Sequence, residues 1–121
     1  LRSLDLSNNK IEEIPSLSLC PLKALNWLNL HSNCITEIKE NPGEWCHYKD
    51  TLGSLFLGEN DLTALPDHVL THFHHLTWIS LDGNKLTSLD PAVFPESLET
   101  LSVQYNYLKE FPTKMVTNRS V

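Results

Sequence analysis

Leu25-Asn26-Trp27-Leu28-Asn29-Leu30-His31-Ser32-Asn33-Cys34-Ile35-Thr36-Glu37-Ile38 is one copy of a phrase that this chain spells five times. The shared skeleton is Leu-x-x-Leu-x-Leu-x-x-Asn-x-Leu-x-x-Leu, with conservative exchanges. The copies begin at Leu1, Leu25, Leu52, Leu76 and Leu98, so successive starts lie 24, 27, 24 and 22 residues apart. The first copy fills its apolar slots with Leu1, Leu4, Leu6, Ile11 and Ile14, and the last with Leu98, Leu101, Val103, Leu108 and Phe111. Every slot of all five copies is apolar in a chain that is only 40% apolar, so the phasing is not a chance alignment. A self-similar period of this length marks a stacked array.

The Leu-x-Leu pair alternates, which predicts a short strand with one buried face. Five such strands, one copy apart, are expected to form a parallel sheet whose inward leucines make a continuous core. The asparagines Asn9, Asn33, Asn60, Asn84 and Asn106 end the strand phrase. The chain must bend there, and the bend buries backbone groups that need partners. An amide side chain carries both donor and acceptor and can bridge neighbouring turns, so these five are read as a structural ladder. In the spacers, Leu19 with Leu22 and Leu70 with Phe73 are expected to pack inward from the opposite, convex side. Pro15, Pro66 and Pro112 follow the last apolar slot of a copy and oppose a helix starting there.

These copies resemble leucine-rich repeats of the typical 24-residue class, with Leu65-Pro66-Asp67-His68-Val69-Leu70-Thr71-His72-Phe73 closest to that class's outer segment. The resemblance covers essentially the whole chain. It implies an α/β solenoid, a curved horseshoe arc with a short parallel sheet on its concave face and loops, 3-10 turns or short helical turns on its convex face. Residues 1–121 are then expected to form one domain of five repeats without true capping repeats. The chain starts inside a repeat and its only methionine is Met115, so a piece of a longer chain is expected. Open hydrophobic ends predict marginal stability or self-association of the isolated array.

Fifteen acidic and nine basic residues give a net charge of −6, with no Lys/Arg cluster. That argues against a nucleic-acid partner. No apolar run reaches the ~18–20 residues of a membrane span, so no direct membrane insertion is expected of this segment. Cys20, Cys34 and Cys46 contain no Cys-x-x-Cys pattern, and neither a metal nor a cofactor is expected. Cys20 reads first as a buried free thiol, with a Cys20–Cys46 bridge between adjacent convex segments as the alternative. Cys34 follows the asparagine turn and is placed near the surface. Asn118-Arg119-Ser120 is a glycosylation sequon.

Residues flanking the strand leucines must point to the concave face. The first row across the strands reads Ser3, Trp27, Ser54, Trp78, Thr100. The second reads Asp5, Asn29, Phe56, Ser80, Ser102, and the third Ser7, His31, Gly58, Asp82, Gln104. Neighbouring strands are ~4.8 Å apart, which sets the two tryptophans ~10 Å apart across small Ser54. Large aromatics on a solvated face call for an explanation, and tryptophan is favoured at interface hot spots. Trp27, Phe56 and Trp78 are therefore read as a contact cluster for a protein ligand, with Asn29, His31, Asp82, Gln104 and Tyr105 as its rim. The alternative is an inert surface on which the aromatics cover sheet backbone.

Other groups point to chemistry less well. His68, His72, His74 and His75 surround Leu70 and Phe73 and read as the exposed remainder of a convex turn. Ser7, His31 and Asp5 lack a nucleophile elbow and an oxyanion hole, so no enzymatic role is expected. In the long second spacer, Trp45 and Tyr48 have the spacing of the inward convex pairs, with a convex docking loop as the other reading. The family resemblance points to extracellular and cell-surface proteins such as Toll-like receptors and adhesion proteins. Its alternative is a cytoplasmic, regulatory segment of a multidomain protein such as a kinase or phosphatase.

Overall fold

A computed structural model describes residues 2–39, 42–66 and 68–108. Five three-residue strands, β1 (Ser3–Asp5), β2 (Trp27–Asn29), β3 (Ser54–Phe56), β4 (Trp78–Ser80) and β5 (Thr100–Ser102), form one sheet in chain order. All four pairings are parallel. The register sets Leu4, Leu28, Leu55, Ile79 and Leu101 in one row, and from Leu28 onward that row is buried. The strands are short because the asparagine turn follows within a few residues in every copy. The result is the expected solenoid.

Its core runs the length of the array. Leu25, Leu28, Leu30, Ile35 and Ile38 stack on Leu52, Leu55, Leu57 and Leu62, and these on Leu76, Ile79, Leu81 and Leu86. Leu4, Leu6 and Ile11 of the first copy are only partly covered. The asparagine ladder runs alongside. The Asn33 amide donates to the Leu6 and Leu30 carbonyls, while its oxygen accepts from the Asn9 and Ile11 N–H groups. Asn60 donates to Leu30, Leu57 and Gly58 and accepts from Ile35 N–H. Asn84 and Asn106 repeat the pattern one copy further on each time. Each such side chain satisfies groups of two successive turns that would otherwise be unpaired.

The convex side consists of turns and two 3-10 segments, Pro42–Asp50 and Pro91–Val93. Asp90 caps the second by accepting from the Ala92 N–H at 2.9 Å. Leu19, Leu70 and Phe73 are buried and Leu22 is partly so, as the spacing requires. Trp45 and Tyr48 are buried too, at 2% and 1% exposure, and they pack with Phe73. That excludes Trp45 as the tip of a docking loop. The Tyr48 hydroxyl donates to the Ser16 carbonyl at 3.1 Å.

One expectation is corrected here. Cys20 is not a free thiol but is bridged to Cys46, with the Cα atoms 5.3 Å apart. The inward pull of Trp45 and Tyr48 draws the intervening Cys46 against the neighbouring convex segment, within bridging range. Cys46 takes a left-handed φ of 55°, which breaks the 3-10 segment in two. Cys34 is free and exposed.

Candidate functional site

The first two concave rows lie in register as the period demands: Ser3, Trp27, Ser54, Trp78, Thr100, and then Asp5, Asn29, Phe56, Ser80, Ser102. Both face away from the buried leucine row, because side chains alternate along a strand. Trp27, Phe56 and Trp78 are each half-buried. Their rings are not separate features. Trp27 and Phe56 have centroids 5.1 Å apart, tilted by 51°, and Phe56 and Trp78 are 4.6 Å apart, tilted by 43°. Both indoles lean on the phenyl ring between them, which makes one continuous apolar strip across β2, β3 and β4. Tilted contacts at this spacing are favourable and rigidify the rings relative to one another.

The expected rim residues divide by what holds them. Asn29 accepts from the His31 N–H at 2.9 Å and so fixes the start of the turn. The His31 ring lies over Gly58, where an added Cβ would come within 2.7 Å of Nδ1. Asp82 is engaged by β5: the Ser102 hydroxyl donates to its carboxylate at 2.7 and 2.8 Å, and the Gln104 N–H donates at 2.7 Å. Gln104 and Tyr105 are exposed, Tyr105 at 82%. At the other end, Ser7 donates from its hydroxyl and its N–H to Asp5. These bonds hold the Asp5 carboxyl below the ordinary carboxylate range, the hydroxyl contributing most. The hydroxyl of Ser7 is thus committed to a carboxylate, not poised beside an imidazole as a nucleophile.

Two features had no clear signal in the sequence. Asn8, Ser32, Glu59, Gly83 and Tyr105, each just before a ladder asparagine, all adopt a left-handed φ between 53° and 70°. Only one of them is glycine, so residue type does not reveal the constraint, although their common place in the repeat does. Thr51 and Ser97, each just before a copy's first leucine, donate to the first leucine carbonyl of the preceding copy, Leu25 and Leu76. Their shared slot was the available clue. Among the convex histidines, His68, His74 and His75 are exposed and His72 is half-buried. No group of three or more His, Cys, Asp or Glu side chains capable of holding a metal occurs among the described residues. Asn118 lies outside the described residues.

The leucine rich repeat family model matches residues 1–42 and 50–108. The chain belongs to the leucine-rich repeat family. Relatives include the platelet glycoprotein Ib alpha chain of Mus musculus, 43% identical over 61 residues that span 50% of this chain and 8% of that protein. Keratocan of Bos taurus is 33% identical across 87% of this chain and 29% of its own length. Leucine-rich repeat serine/threonine-protein kinase 1 of Mus musculus is 30% identical across 95% of this chain and 6% of its own. The chain therefore spans less than a third of each of these relatives. Leucine-rich repeats of this kind serve mostly as interaction modules, within proteins of otherwise unlike architecture. Among the described residues no helix is long and apolar enough to cross a membrane.

Proposed function

We propose that the concave face of this leucine-rich repeat array recognises a protein ligand, with Trp27, Phe56 and Trp78 as the anchor strip. The observation that carries this reading is the ring-on-ring contact of three aromatics on the solvent side of the sheet. An apolar strip held on rigid strands loses little side-chain entropy on binding, which is the physical profile of a hot spot. Asn29, His31, Gln104 and Tyr105 supply polar and aromatic groups around it, and Asp82 shapes its far end through Ser102 and Gln104. The reading assigns no catalytic role to these residues.

We further place the array in an extracellular or cell-surface protein. The Cys20–Cys46 disulfide favours this, because structural disulfides persist in oxidising compartments and are rare in the cytosol. The match to a platelet glycoprotein agrees with it. A cytoplasmic regulatory segment is the second reading, favoured by the exposed free thiol of Cys34 and by the kinase relative. Affinity capture tests both. The array, beside a Trp27→Ala/Trp78→Ala variant of equal circular dichroism, is incubated with secreted and with cytosolic fractions of the source. A partner captured from the secreted fraction and lost by the variant is the expected result. A partner retained by the variant rejects the concave site, and one found only in the cytosol rejects the compartment.

A further inference from the structure

A groove of about 760 Å³ opens at the edge of the sheet where the strands begin, lined in part by Arg2, Lys23, Asn26, Asp50, Ser54 and His75. Ser54 belongs both to this groove and to the first concave row, where its register partners are Trp27 and Trp78. The groove therefore meets the first concave row at Ser54, the strand position between the two tryptophans. Its floor stays open because Gly53 and Ser54 are small; a Cβ at Gly53 would meet the Asn26 amide at 2.9 Å. Backbone bonds align Arg2, Asn26, Gly53, Thr77 and Glu99 as a further row, one step before the strands. That row is cationic at its first member and anionic at its last.

The groove carries two cations, Arg2 and Lys23, against one carboxylate, Asp50. Arg2 and Lys23 are exposed, and among the described residues neither takes part in an ion pair. They lie in a chain of net charge −6, where acidic residues outnumber basic ones. Two unpaired cations at the mouth of a groove continuous with an aromatic strip make a composite surface. We propose that it takes an extended acidic peptide segment of the protein partner: an apolar side chain seats on Trp27, Phe56 and Trp78, and a neighbouring Asp or Glu reaches Arg2 and Lys23. Glu99 repels an acidic residue at the opposite end of the row, so the segment is oriented as well as anchored. This rests on the concave reading and adds the chemistry and direction of what binds there.

The probe is a random linear peptide library displayed on phage and selected against the array. Selected peptides are expected to pair an apolar anchor with a nearby Asp or Glu. Replacing that acid by its amide in a synthetic copy is expected to weaken binding about 3- to 10-fold at low salt, and to matter little at high salt, where exposed charges are screened. Arg2→Glu/Lys23→Glu, both at exposed positions, is expected to give the same loss with an unchanged urea midpoint. Peptides without acidic bias, or indifferent to the charge reversal yet lost by Trp27→Ala/Trp78→Ala, overturn the inference and leave the concave reading intact. Peptides lost on charge reversal but kept by the tryptophan variant overturn the continuity of groove and strip, and the concave reading with it. An empty selection also overturns the inference, while affinity capture still decides the concave reading.

Discussion

Asn60 shows how much one short side chain does in this array. Its amide donates to three carbonyls and its oxygen accepts an N–H from the preceding copy, all in a buried setting. Asn60→Ala leaves several buried backbone groups unpaired and is expected to destabilise by about 2–4 kcal/mol in urea unfolding. Asn9→Ala is expected to cost under about 1 kcal/mol, since the exposed Asn9 amide serves only Leu6 and Ser7 of its own turn. Equal costs would refute the ladder as the source of the effect. Gly83→Ala is expected to cost about 1–2 kcal/mol, because φ of 70° strains any side chain there. Asp5 adds a pH dependence. Its folded-state pKa lies below the ordinary value, so its contribution is present above the unfolded pKa and is lost as pH falls through the folded one. Carboxyl NMR of Ser7→Ala should show the Asp5 midpoint rising towards the ordinary range; an unmoved midpoint would contradict the assignment. The ladder was legible in the sequence because the same residue type recurs at one slot. The left-handed position was not, because Asn8, Ser32, Glu59 and Tyr105 conceal what only Gly83 signals.

At the scale of the element, the segment Pro42–Asp50 departs most from the repeat and is held most heavily. Trp45, Tyr48 and Phe73 form a buried aromatic group beneath it, and the Cys20–Cys46 bridge ties it to the first convex segment. The sequence foretold the inward pair, since Trp45 and Tyr48 have the three-residue spacing of Leu19/Leu22 and Leu70/Phe73. It did not decide the bridge, because the extra length of this spacer hides where Cys46 falls relative to Cys20. Thiol titration of the protein denatured without reductant should find one reactive cysteine, Cys34, and three after reduction. Finding three without reductant would remove the bridge, and the argument for compartment with it. Across a sequence separation of 26 residues, Cys20→Ser/Cys46→Ser is expected to destabilise by about 3 kcal/mol.

For the molecule as a whole, the repeat period alone specified which side chains share the concave face, because a parallel array in constant register has no freedom to shuffle them. Trp27, Ser54 and Trp78 align as the spacing requires. The closure of Trp27, Phe56 and Trp78 into one strip was beyond the sequence, since it depends on rotamers, and so was the groove, since Arg2 and Lys23 lie at opposite ends of the first copy and meet only when the coil closes. Strip and groove together give an acidic molecule a face with an apolar centre and two cations, Arg2 and Lys23, at one corner of its border. The most direct test of that account is the calorimetric affinity of the captured partner for the array and for its Trp27→Ala and Trp78→Ala variants. Each truncation is expected to cost about 2 kcal/mol, close to 30-fold in Kd, with the urea midpoint of the array retained. Unchanged affinity in both variants would contradict the concave face as the binding surface.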